Sequence, residues 1–339
     1  MKKLITVTGS IGAMLFWIAV GRADSSQAPP AALPPLNLTI KDLTPKFLTF
    51  YNEAVKEHAS PERRWELWKK DYDFAAVPPT PEGEEMAKKL LNNAWSRYPA
   101  VLDRIRKGAA DLTPDPHATI RSVAELLRPT KPVNVTLLVY VGGFEENAFT
   151  AAQGGKIMTA IPIEGDPKGR ALRMTHELTH AVHISMGSFS GGWIRTVGTT
   201  VLTEGLAMRV TQKLIPGLSE ASYVAARPGW FAEATKLRPA ILKDVEGVLD
   251  SDKSEDVMRF TMGKGPSGLE REAYYAGWLV VGYWLDHGMT FSEIARIPET
   301  EMPRRVKEVI DKLLLEGKTS RTASAGSTSP SPMRATGGS

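Results

Sequence analysis

The period of the apolar residues changes twice along the chain, and this change sets the fold class. From Leu43 to Leu127 apolar side chains recur at helical spacing: Phe47, Phe50, Tyr51 and Val55, then Trp65 and Trp68, then Met86, Leu90, Leu91, Trp95 and Tyr98. That spacing predicts amphipathic helices, and Pro61, the Pro78-Pro79 and Pro81 cluster, and Pro114 with Pro116 cut them into three or four. The tryptophans read as core packing rather than as the lining of a groove. After Lys131-Pro132 the stretch Val133 to Val141 is β-branched and aromatic and ends at Gly142-Gly143, which predicts a strand. Ala148 to Thr150 and Ile157 to Ile163 predict two more strands around a turn at Gly154-Gly155. Helical spacing then returns in Arg170 to Met186, Thr199 to Leu214, Tyr223 to Leu242, Glu270 to His287 and Met302 to Leu315, with Gly288 placed to end the fourth of these. The expectation is an α+β fold, mainly helical, with a small mixed or antiparallel sheet.

Both ends differ in character from this central part. Met1 to Ala23 opens with Lys2 and Lys3, runs through an apolar stretch and ends in Gly21-Arg22-Ala23, which has the order of an export signal cut after Ala23; an uncleaved membrane anchor is the alternative. Residues 24–40 are rich in Pro and Ala and predict a linker. Residues 318–339 are almost entirely small and polar and predict a tail without a core. Between them the sequence divides into a helical region, 41–130, and a second region, 131–317. The formal charge of +4 falls to about +1 once the three cations of the leading segment are removed. No nucleic-acid partner is therefore expected. There is no cysteine among the 339 residues, so any metal must be held by nitrogen and oxygen, and disulfides are excluded.

The chemistry concentrates in His176-Glu177-Leu178-Thr179-His180. Two histidines four apart on a helix project from one face, one turn apart, and can bind one zinc ion together. Glu177 lies about 100° further round the helix from His176, so it can serve a water at the metal without occupying the metal. A catalytic site needs a third protein ligand. His183 is seven residues beyond His176, about 10 Å along the axis, which is far for one ion to bridge. Glu204 lies on the next predicted helix, flanked by Val201, Leu202 and Leu206, and an acid in such surroundings predicts a buried, partnered charge. Glu204 is the preferred third ligand, delivered by an antiparallel helix.

At these residues the chain resembles the gluzincin metallopeptidases, in which the two histidines are joined by a glutamate from a following helix. Within that clan, Glu204-Gly205-Leu206-Ala207 and Tyr274-Tyr275-Ala276-Gly277 look like a bacterial family of predicted zinc-dependent proteases of unknown substrate. The resemblance covers roughly Val133 to Leu315. It implies a zincin-like domain with Zn2+ on His176, His180 and Glu204, and Glu177 as general base. Many gluzincins carry an Asp four residues after the glutamate ligand; here Met208 stands there, so the ligands must be supported from elsewhere. Asn147 to Thr150 is similar to the edge strand that holds peptide substrates in thermolysin-like enzymes, or is a plain structural strand. Tyr275, or less favoured Tyr274, is placed where such enzymes often stabilise the oxyanion; packing is the competing role. His287 fits a helix C-terminus better than an acid, and Ser188 to Gly192 could form a lid.

The sequence therefore predicts an exported metallopeptidase, periplasmic or extracellular, acting on peptide or protein substrates. A membrane partner is expected only if the first segment stays attached, and no oligomeric state is implied. Two alternatives stand beside it: a non-catalytic zinc-containing binding or scaffold protein, and a zinc hydrolase of another amide such as a cell-wall crosslink.

Overall fold

The computed structural model describes residues 32–325 apart from 193 and 194, and the side chains up to 316. The proposed export segment and residues 326–339 lie outside the described residues. The chain enters as β1 (Leu36–Asp42) and forms α1 (Thr44–Lys56), α2 (Pro61–Asp71), α3 (Pro81–Ala94), α4 (Leu102–Lys107) and α5 (Pro116–Leu127). It returns as β2 (Val133–Tyr140), β3 (Phe149–Gln153) and β4 (Lys156–Pro162), followed by α6 (Pro167–Met186) and α7 (Val197–Leu214). Short helices α8 (Glu220–Val224), α9 (Trp230–Lys236), α10 (Arg238–Glu246) and α11 (Ser254–Thr261) lead to α12 (Glu272–Asp286), α13 (Phe291–Ala295) and α14 (Met302–Ala325). The fold is α+β, mainly helical with one small mixed sheet.

The sheet order is β1-β2-β4-β3, with β1 and β4 parallel to β2 and β3 antiparallel to β4. β3 and β4 meet at a two-residue turn, where Gly154 (φ 57°) and Gly155 (φ 75°) adopt the left-handed backbone that a tight hairpin demands. Alternation along β2 sends Val133, Val135, Leu137 and Val139 into the main core, while Leu138 and Tyr140 join Ala160 in a smaller cluster under Phe74 and Phe149 on the opposite face. α6 packs against β2, β3 and β4, α7 against α6, and α12 against α7.

Four sequence expectations change here. Residues 24–40 are not all linker: Leu36-Asn37-Leu38-Thr39-Ile40 alternates apolar and polar, and pairs in register with β2 from Leu36 opposite Val133. The Pro-rich stretch before it masked a period of two. Nor does the fold divide near residue 131, since one buried cluster runs from Phe47 to Leu313. Arg170, 1% exposed, ties the halves together by donating to Ile163 O (2.8 Å) and to Asp111 Oδ2 (2.9 Å). Lastly, the single helix expected over Tyr223 to Leu242 is split into α8, α9 and α10, because Pro228-Gly229 and Pro239 interrupt it. α12 does end where expected, with Gly288 (φ 87°) two residues beyond it. α14 continues to Ala325, past the boundary at residue 318.

Candidate metal centre

α6 starts where local chemistry favours it. The Asp166 side chain accepts from Gly169 N (2.8 Å) and Pro167 takes the first helical position, an N-cap of a kind that contributes about 1 kcal/mol. The inner faces of α6 bury Met174, Leu178, Ala181 and Val182. That packing fixes the rotation of the helix, and with it the direction of His176 and His180. α7 is capped likewise, Thr196 Oγ1 accepting from Thr199 N (3.0 Å).

Glu204 reaches the histidines from α7. Its Oε2 lies 3.0 Å from His176 Nε2 and 3.4 Å from His180 Nε2, and the two Nε2 atoms are 3.1 Å apart. Three ligands held tetrahedrally at about 2.0–2.1 Å from one ion would be separated by about 3.3 Å. The spacing thus fits a single metal ion, and the donor set of two imidazoles and one carboxylate is one that borderline metals accept. Burial alone would raise the Glu204 carboxyl, but His180 and His176 outweigh it and hold Glu204 well below the usual carboxylate range. The same attraction lifts His180 against its own burial. Glu204 is thereby an anion in a dry place, which is the form a cation needs.

Glu177 stands next to this triad. It is nearly buried, and its carboxylate accepts no hydrogen bond among the described residues. Its main-chain carbonyl accepts from Thr150 Oγ1 (2.9 Å), so the third turn of α6, which carries His176 and Glu177, is tied to β3. β3 is the sheet's edge and lies beside the Glu177 turn; of Asn147 to Thr150 only Phe149 and Thr150 belong to it.

The close approach of α7 to α12 explains two of the quoted motifs. A Cβ on Gly205 would strike the Gly277 carbonyl, and one on Gly277 would strike the Val201 carbonyl. Glycine at both positions lets the helix backbones touch, with Gly277 of α12 against the Val201 to Gly205 turn of α7 that carries Glu204.

The remaining candidates fall out as follows. Tyr275 is buried away from the triad, its hydroxyl donating to Thr235 Oγ1 (3.3 Å) and its ring edge-on to Trp230 and Phe231. Tyr274 is the member of the pair that feels the site's charges: burial pushes its phenol up to about 12, with the Glu204 charge adding to the rise and Arg271 and Arg195 opposing it. His183 is fully buried rather than at the surface, its ring against Phe189 at 5.4 Å. His287 is a helix-end residue, with Nδ1 2.8 Å from Tyr283 O. Ser188 and Ser190 are tied down, Glu299 N donating to Ser188 O (2.8 Å) and Ser190 N to Glu299 Oε2 (2.9 Å). A depression of about 620 Å³ beyond them, between Met186 and Thr300, includes none of the triad.

Two residues that the sequence did not single out join the site. Arg195 reaches Glu204 Oε1 at 3.8 Å, giving the carboxylate outer support that Met208 cannot. Arg271 lies with its guanidinium 3.8 Å from the Tyr274 ring centroid. Neither sits at a recognisable spacing from the histidine motif, because tertiary packing alone brings them in. No protein-family model, curated protein or solved structure matches the chain.

Proposed function

We propose that the chain is a zinc-dependent metallopeptidase of gluzincin type, exported from the cytoplasm by its first 23 residues. The observation that carries the reading is the convergence of His176, His180 and Glu204 at tetrahedral spacing with Glu177 adjacent and unbonded. A structural zinc site has no use for a further carboxylate left free to act on water; a hydrolytic one requires it.

When bound, zinc lowers the pKa of water and polarises a carbonyl. Glu177 takes the proton of the attacking water and delivers it to the departing amine. Tyr274, rather than Tyr275, would donate to the developing oxyanion, because the Tyr275 hydroxyl is already engaged with Thr235 Oγ1. β3 offers its free edge to an extended peptide, which pairs with it through main-chain hydrogen bonds. The same residues would serve hydrolysis of another amide, and the peptide reading is favoured by the edge strand beside Glu177.

The test is Glu177→Gln in the mature protein, assayed on a mixed peptide library. Zinc content should remain near one per chain, while turnover falls on the order of a hundredfold to ten-thousandfold, as expected for loss of a positioned general base. Full activity in a zinc-loaded Glu177→Gln protein would falsify the mechanism. A wild-type protein that holds zinc and cleaves nothing would favour the scaffold alternative.

A further inference from the structure

The charges around the triad do not balance for a neutral substrate. Glu177 and Glu204 together offset a divalent ion, and Arg195 and Arg271 are left in excess. Several arginines elsewhere in the fold meet carboxylates closely, Arg170 with Asp111 at 2.9 Å, Arg173 with Glu146 at 2.7 Å and Arg227 with Glu270 at 3.0 Å, while Arg209 has no carboxylate among the described residues and donates to Trp278 O at 3.0 Å. Neither arginine at the triad has a close partner of either kind among the described residues. Arg195 has only Glu204 as an ion-pair partner among the described residues, at 3.8 Å, beyond a hydrogen bond, and Arg271 has none. Both side chains are partly withdrawn from water, Arg195 with 25% of its side chain exposed. A half-desolvated guanidinium beside a bound cation is costly unless an anion completes the set.

We propose that Arg195 and Arg271, on either side of Tyr274, form a clamp for a substrate carboxylate, so that preferred substrates carry a negative charge next to the cleaved bond. The inference rests on the peptidase reading and names its substrate class. Guanidinium suits the task because its planar fork can donate two parallel hydrogen bonds to a carboxylate, which an ammonium cannot. Arg271 is held for this by its place at the cap of α12, with φ 60° and its cation over the Tyr274 ring. Arg195 approaches from the segment that leads into α7, the opposite neighbour in sequence. The two arginines thus come from separate elements, Arg195 beside the Glu204 carboxylate and Arg271 over the Tyr274 ring. The carboxylate could be a free peptide C-terminus or an Asp or Glu side chain; the chemistry at the clamp is shared.

Calorimetry on the zinc-loaded Glu177→Gln protein tests this without turnover. The probes are N-acetyl-trialanine as the acid, the same peptide as the amide, and an N-acetyl-Ala-Ala-Glu amide. At least one of the two charged probes should bind about tenfold more tightly than the neutral amide, and which of them does so tells a C-terminus from a side chain. Adding Arg271→Gln or Arg195→Gln should shrink the gap to about threefold or less with zinc content unchanged, and Arg271→Lys should restore it only in part. Equal affinity for all three probes would overturn the clamp. So would a gap that survives both arginine replacements, since the carboxylate would then be held by the metal. If the wild-type protein cleaves no peptide but the arginine-dependent gap is present, the peptidase reading fails and the clamp stands.

Discussion

Glu204 on α7 and Glu164 just past β4 are equally dry, 4% and 1% exposed, and their carboxyls shift in opposite directions. Glu204 is held well below the carboxylate range because two histidines face it. Glu164 is pushed up to about 7 by burial; the Gly142 and Phe144 amides that donate to it, at 2.9 and 3.2 Å, recover only part of that cost, and Glu145 nearby adds repulsion. Burial is thus the same in both places and the partners decide. Histidine partners suit a candidate ligand, whereas backbone amides suit a structural acid. Around Glu164, Tyr72 donates to Val141 O and Tyr98 to Gly142 O, both at 2.9 Å, so this region fixes the loop that leads into β3. One region prepares the metal site and the other positions the strand beside it.

The largest effect should separate the two acids by metal. Glu204→Ala should lower zinc affinity by more than the roughly 10–100-fold typical of losing a group that merely supports a ligand. Glu164→Gln should leave zinc content intact. Metal analysis after dialysis against a weak chelator reads both, and loss of zinc from the Glu164 variant would break the contrast.

Next comes the pH dependence of stability. The folded pKa of Glu164 lies above its unfolded value of 4.5, so the native state holds this proton more tightly. Its contribution is complete below pH 4.5 and is lost as the pH rises towards 7, by on the order of 3 kcal/mol in all. Urea unfolding at pH 4.5, 6 and 8 should therefore show the stability difference between Glu164→Gln and wild type swing in favour of the variant with rising pH. A difference that stays constant would mean that Glu164 is ionised at every pH tested, as Glu204 is.

Gly205→Ala probes the α7–α12 contact on which only the Glu204 side of the comparison depends. The added methyl meets the Gly277 backbone and has nowhere to go. Overpacking of this kind costs about 1–3 kcal/mol, visible as a lower unfolding midpoint. The Tyr274 and Arg271 side of the site should shift away from Glu204, so the acid-over-amide preference should weaken more than zinc binding does. An unchanged midpoint would show that α12 can slide on α7.

How much of this was legible in sequence follows from range. His176, Glu177 and His180 share one helical turn, so spacing alone placed them. Glu204 was legible because an acid set among Val201, Leu202 and Leu206 needs a partner. Gly154-Gly155 marks the β3–β4 hairpin in the sequence, and Pro228-Gly229 marks the break between α8 and α9. β1 was lost because its partner β2 begins 97 residues after Leu36, at Val133, and a five-residue alternation carries little signal beside a Pro-rich run. The choice between Tyr274 and Tyr275 depends on the rotation of α12 on α7, and adjacent residues on a helix point about 100° apart, so motif position could not decide it. Arg195 and Arg271 had no local signature at all.

The smallest effect expected is at His183, and it bears on what makes a histidine a ligand. His183 follows His180 by three residues on α6, yet its ring packs on Phe189 and neither ring nitrogen has a hydrogen-bond partner within bonding geometry. Burial, with help from His180, pushes its pKa down to about 3, and the Ala295 carbonyl that works the other way is already engaged by the Ser188 hydroxyl at 2.6 Å. It is therefore a neutral, apolar-packed ring at ordinary pH. Replacing an unsatisfied polar group by an apolar one of similar size is close to neutral or stabilising, so His183→Leu should change unfolding free energy by less than about 1 kcal/mol. Zinc content should not change. If the variant folded with an unaltered midpoint but lost its metal, His183 would be supporting His180 through the helix, and the division of α6 into a metal-binding face and a packing face would have to be redrawn one turn further along.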